Sequence, residues 1–83
     1  MQSKMADIQE ELAKKIIETS TGGGMVKITA NGLNEILSVR IDPELINMQD
    51  RGILEDLILG AVNEAHRKVN ELRQEELARL TGG

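Results

Sequence analysis

The sequence predicts an α+β fold in which one helix, a small antiparallel sheet of three strands and a longer helix follow one another as α-β-β-β-α. Three observations carry that prediction. Apolar residues recur every three or four positions near both ends of the chain, which is the spacing of one helix face. Between those ends, residues 25–30 and 35–42 alternate apolar and polar side chains, the period of a sheet covered on one side. Turn formers separate the segments, at Gly22-Gly23-Gly24, Asn31-Gly32 and Pro43.

The first helix, over residues 2–15, follows from Met1, Met5, Ile8, Leu12 and Ile16, which share one stripe. Acids dominate its middle and Lys14 and Lys15 its end, an order that suits the helix dipole. A helix of about fifteen residues is marginal alone, so the stripe needs a surface. Both the sheet of the same chain and a helix of a second copy qualify. Residues 17–21 turn rich in β-formers and read as a short first strand. The glycine run after it is not a phosphate loop, because no Gly-Lys-Ser/Thr follows and a strand comes next.

In the second strand, over 25–30, Val26, Ile28 and Ala30 point one way and Met25, Lys27 and Thr29 the other. In the third, over 35–42, Leu37, Val39 and Ile41 share a face opposite Ile36, Ser38, Arg40 and Asp42. Asn31-Gly32 offers the positive φ angles of a tight hairpin turn; a four-residue loop that takes in Leu33 and Asn34 is the alternative. Pro43 ends the third strand because it has no N–H for the ladder. Leu45 and Ile46 then form a short turn that plugs the core, and Asp50 is placed to cap a helix over 51–79. Its stripe is Leu54, Leu57, Ile58, Ala61, Val62, Ala65, Val69 and Leu72, with Gly60, Ala61 and Ala65 small enough for close approach of another backbone. Glu76 interrupts the stripe, so the last turns leave the core and project.

Composition narrows the function. A chain of 83 residues makes one small domain, and a monomer of that size buries only about 60–65% of its unfolded surface. Dimerisation is the simplest way to bury more. There is no cysteine, which excludes disulfides and thiolate metal sites, and no Phe, Trp or Tyr, so the core is Leu, Ile, Val, Met and Ala. No apolar run approaches the ~20 residues of a membrane span, and the first residues lack an apolar signal region. A cytoplasmic protein without a membrane partner is expected. His66 is the lone histidine, and the carboxylates sit on helices among lysines and arginines. Neither makes the convergent set of groups that catalysis or metal binding needs. No enzyme activity, cofactor, metal or small-molecule substrate is expected.

The formal net charge of −4, or −8 for two copies, is a poor overall footprint for nucleic acid. A local basic patch would have to serve. Lys14 and Lys15 close the first helix, while Arg67, Lys68, Arg73 and Arg79 lie on the second half of the long one. Doubled in a dimer they are twelve cations, which could position duplex phosphates without reading sequence. The absence of aromatics argues against single strands, whose bases stack on such rings. However, Glu64, Glu71, Glu75 and Glu76 share the long helix. Taken residue by residue, patterning favours solvated charge pairs.

Five strings change that balance: Gly24-Met25-Val26-Lys27-Ile28, Asn31-Gly32, Val39-Arg40-Ile41-Asp42-Pro43, Leu54-Glu55-Asp56-Leu57-Ile58 and Ala61-Val62-Asn63-Glu64-Ala65. In this order and spacing they resemble the YbaB/EbfC family of bacterial nucleoid-associated proteins, over roughly residues 10–80. The resemblance implies an intertwined homodimer with a shared sheet, whose helices project as a pair of tweezer-like arms able to grip double-stranded DNA. It implies no enzyme activity. The candidate DNA contacts are Lys14, Lys15, Arg67, Lys68, Arg73 and Arg79; the candidate dimer interface is Met5, Ile8, Leu12, Leu54, Leu57, Ile58, Ala61 and Ala65. The function expected is low-specificity duplex binding in the nucleoid, with consequences for its organisation and for gene expression. The alternative, favoured by net charge, is a protein–protein adaptor with little affinity for DNA.

Overall fold

In the computed structural model, which describes residues 2–81, the elements are α1 Gln2–Lys14, β1 Ile16–Thr21, a 3-10 turn Gly22–Gly24, β2 Val26–Asn31, β3 Ile36–Ile41, a short α2 Pro43–Asn47, and α3 Arg51–Thr81. Met1, counted in the first helical stripe, lies outside the described residues. The sheet has the order β1-β2-β3 with both pairs antiparallel. The α-β-β-β-α arrangement is therefore present, with α2 inserted before the long helix.

Helix α3 lies across β1 and β2 and leaves β3 at the uncovered edge. The buried core is Val26, Ile28 and Ala30 from β2, Ala61, Ala65 and Val69 from α3, and Leu45 from α2. Small side chains on α3 bring its backbone close enough for two hydrogen bonds from the sheet. Thr19 Oγ1 donates to the Ala61 carbonyl at 2.9 Å, and Thr21 Oγ1 to the Leu57 carbonyl at 2.7 Å. At 31 residues, α3 is about 46 Å long, which accounts for most of the 53 Å long axis of the molecule. Its C-terminal half extends past the sheet and runs antiparallel to α1, with Lys15 beside Glu76 and Glu11 beside Arg79.

The expected facing of β3 needs a correction. Val39 and Ile41 do pair with Ile28 and Val26 on the α3 side of the sheet. A register shift at Thr29/Ala30 then places Ile36, not Leu37, opposite Ala30. One extra residue in a strand breaks the two-residue alternation, and simple alternation cannot foresee it.

Of the two hairpin readings, the four-residue loop that takes in Leu33 and Asn34 is the one that forms. The Asn31-Gly32 turn with positive φ does not form; residues 32–35 make a four-residue loop, and its positive φ is at Asn34 (67°). Asn31, buried as the last residue of β2, organises the loop. Its Oδ1 accepts from the Leu33 and Glu35 N–H groups, and its Nδ2 donates to the Glu35 carboxylate. Gly32 serves a different need. Its N–H donates to the Leu12 carbonyl at 2.8 Å and to the Lys15 carbonyl at 3.1 Å, closing the C-terminus of α1.

At the other end of β3, Asp42 accepts from the Glu44 N–H and Pro43 occupies the first turn of α2, while Asp50 Oδ1 accepts from the Ile53 N–H at the start of α3.

Candidate functional site

The six cations singled out in the sequence fall into two groups in space. Lys14, Lys15, Arg73 and Arg79 belong to the projecting end, where α1 and the second half of α3 lie side by side. Arg67 and Lys68 lie on α3 beside the sheet. Four of the six are engaged within the chain. Lys15 Nζ stands 3.1 Å from Glu76. Arg79 donates to Glu76 at 2.6 Å and lies 3.8 Å from Glu11. Arg67 bonds both Glu64 and Glu71, and Lys68 Nζ reaches the Glu18 carbonyl at 3.4 Å. Lys14 and Arg73 are exposed and meet no carboxylate within ion-pair distance among the described residues.

Electrostatics follow these pairings. The hydrogen bond from Arg67 holds the Glu64 carboxyl below its ordinary range, and Glu64 in turn raises the Arg67 guanidinium. Glu76 is held down chiefly by its hydrogen bond from Lys15 and further by Arg79. Glu76 is also one of the few buried polar residues, 8% exposed. The interruption it makes in the apolar stripe is thus the point where α3 faces α1, with two cations converging on one carboxylate.

A pH dependence follows. Because folding lowers the Glu76 pKa from 4.5, the stabilisation is complete above that pH and is lost as the pH falls through the lowered value. Glu76→Gln is expected to flatten the fall in melting temperature between about pH 5 and about pH 3. Thermal melts of both proteins across that range check this. Parallel curves would show that the α1–α3 clamp contributes nothing.

The candidate interface residues are distributed differently from the cations. Ala61 and Ala65 are wholly buried beneath the chain's own sheet, and Leu12 is 8% exposed. Leu54, Leu57 and Ile58 are partly buried against the same core. Ile8 is half-buried and Met5 is 65% exposed. Other apolar side chains that sequence reasoning did not select are open: Ile36, Leu37 and Val39 on the edge strand, and Ile46 and Met48 at the end of α2. The signal missing from the sequence was which strand α3 leaves uncovered.

His66 lies on α3 beside the β2–β3 loop. Its Nδ1 lies 2.7 Å from Asn34 Oδ1, tying α3 to the β2–β3 loop. Among the described residues no group of three or more His, Cys, Asp or Glu could hold a metal ion, and no helix is long and apolar enough to cross a membrane.

Comparison with known proteins completes the picture. The family model described as the YbaB/EbfC DNA-binding family matches residues 1–83. A nucleoid-associated protein of Desulfotalea psychrophila is 49% identical over all of this chain and 78% of that protein. One from Pelotomaculum thermopropionicum is 48% identical over 99% of this chain and 78% of that protein. The crystal structure of an uncharacterized protein from Helicobacter pylori superposes with a TM-score of 0.78 at 28% identity, covering 90% of this chain and 87% of the other.

Proposed function

The chain belongs to the YbaB/EbfC DNA-binding family, and from that membership we propose that it is a homodimeric, nucleoid-associated protein that binds double-stranded DNA with low sequence specificity through phosphate contacts. The whole-chain family match carries this reading; that family is one of DNA-binding proteins, not of enzymes. The nucleoid-associated relatives support the nucleoid as its place of work.

The open edge of the sheet supports a homodimer. Ile36, Leu37 and Val39 are 40%, 50% and 49% exposed on a strand whose outer hydrogen-bonding edge has no strand partner among the described residues. Such edges invite pairing or covering. In this reading a second copy covers β3, and Met5, Ile8, Leu54, Leu57 and Ile58 add their remaining surface. Ala61 and Ala65 have no surface left to add in this conformation. Sedimentation at low micromolar concentration should show a dimer; a stable monomer would refute this part.

The adaptor reading draws on a specific observation, the pairing of Lys15, Arg67 and Arg79 with carboxylates. DNA binding separates the two. Fluorescence anisotropy with two unrelated duplexes of about forty base pairs is expected to show similar binding to both in about 50 mM salt and a steep loss in about 200 mM. No binding at the lower salt would favour the adaptor.

A further inference from the structure

Two cations that play no part in the helical arms stand together on the sheet. Lys27 on β2 and Arg40 on β3 are directly paired across the strands, so their side chains leave the same face of the sheet. That face is the one turned away from α3, since Val26, Ile28, Val39 and Ile41 occupy the other. Both residues are exposed. Like charges directly opposite each other on a sheet are destabilising, yet among the described residues no carboxylate lies within ion-pair distance of either. Hydroxyls surround them. Ser20 pairs with Lys27 from β1, and the next outward pair is Thr29 and Ser38, whose hydroxyls share a 2.6 Å hydrogen bond.

The acids on this face do not cancel the pair. Glu18 stands opposite Thr29, one pair further along β1. Asp42, at the end of β3, has its carboxylate committed to the N-cap of α2. An apolar partner is a poor fit for a surface of Ser20, Lys27, Thr29, Ser38 and Arg40. A polyanion is a good one, because phosphate oxygens would relieve the Lys27–Arg40 repulsion and accept hydrogen bonds from both cations.

We infer that the outer face of the sheet, centred on Lys27 and Arg40, is a contact surface for the phosphate backbone of duplex DNA. This rests on the proposed DNA binding and names a site for it outside the helices. Unlike Arg67 or Arg79, these two cations reach a phosphate without first giving up a carboxylate. The contacts would be to backbone phosphates, so they position the duplex without reading its sequence.

The test compares duplex binding by the full chain, the double variant Lys27→Gln/Arg40→Gln, and the control Arg51→Gln, an exposed arginine at the start of α3 outside the candidate contacts, all in about 50 mM salt. Thermal melts should place the double variant at or above the parent, since it removes a like-charge pair. Its affinity is expected to fall by at least about tenfold, with the control within about threefold of the parent. If the double variant binds like the parent, the sheet face is not the contact and this inference falls while DNA binding stands. If the parent itself does not bind, the functional proposal falls and the inference with it.

Discussion

Replacing Ile28 by alanine is expected to remove about 2–5 kcal/mol of folding stability. Ile28 is fully buried at the middle of the central strand, opposite Thr19 on β1 and Val39 on β3. With Leu45 it is one of the two largest side chains buried to this degree among the described residues. Truncation loses the transfer free energy of three carbons and leaves a cavity under α3 that the surrounding side chains close only in part. A domain of 83 residues has a total stability of about 4–12 kcal/mol, so this one change takes a large share. Leu59, 60% exposed on α3, provides the contrast; its alanine variant should cost less than about 1 kcal/mol. Urea denaturation of both measures the difference, and equal shifts in midpoint would contradict the assigned core.

A second large effect is expected at Gly32. A Cβ there would stand 2.6 Å from the Leu12 carbonyl oxygen and 3.0 Å from the Leu12 Cα. These are mostly backbone atoms at the end of α1, which cannot swing aside as a flexible side chain would. The clash would also strain the two hydrogen bonds from the Gly32 N–H that close that helix. Gly32→Ala should destabilise by about 1–3 kcal/mol and loosen α1 before the sheet, seen as faster amide exchange in residues 4–14. Gly52 is the control. Its Cβ would meet only Asp50 Oδ1 at 3.5 Å, and in the first turns of α3 an alanine should be neutral or gain up to about 1 kcal/mol. Similar losses at the two glycines would show that close approach to α1 is not what Gly32 provides.

Gly32 also illustrates how far the sequence could be read. Strand alternation and helical stripes are local, so they made the order of elements legible, along with the inward facing of Val26, Ile28 and Ala30. That the chain reverses just after Asn31 was legible, though as a shorter turn than the loop over 32–35. The reason for the glycine was not, because it lies in a contact with residue 12, outside the local window. The bulge that sets Ile36 opposite Ala30 was hidden for the same reason. Glu76 looked like the end of a stripe, and only the placement of Lys15 at the tip of α1 shows why a carboxylate belongs there. In the candidate site, sequence identified cations by their position on helices. It favoured the pairing of Arg67 and Arg79 with carboxylates of their own helix, which forms, but it could not tell that Lys15 meets Glu76 or that Lys27 and Arg40 stand opposite each other, since those depend on helix docking and strand register.

Binding of duplex DNA through phosphates is tested most directly by the slope of log Kobs against log salt concentration. Four contacts, from Lys27 and Arg40 in each of two protomers, would give a slope of about −3.6, and further contacts from the helical arms would steepen it. A slope near zero, or no measurable binding in about 50 mM salt, would contradict it.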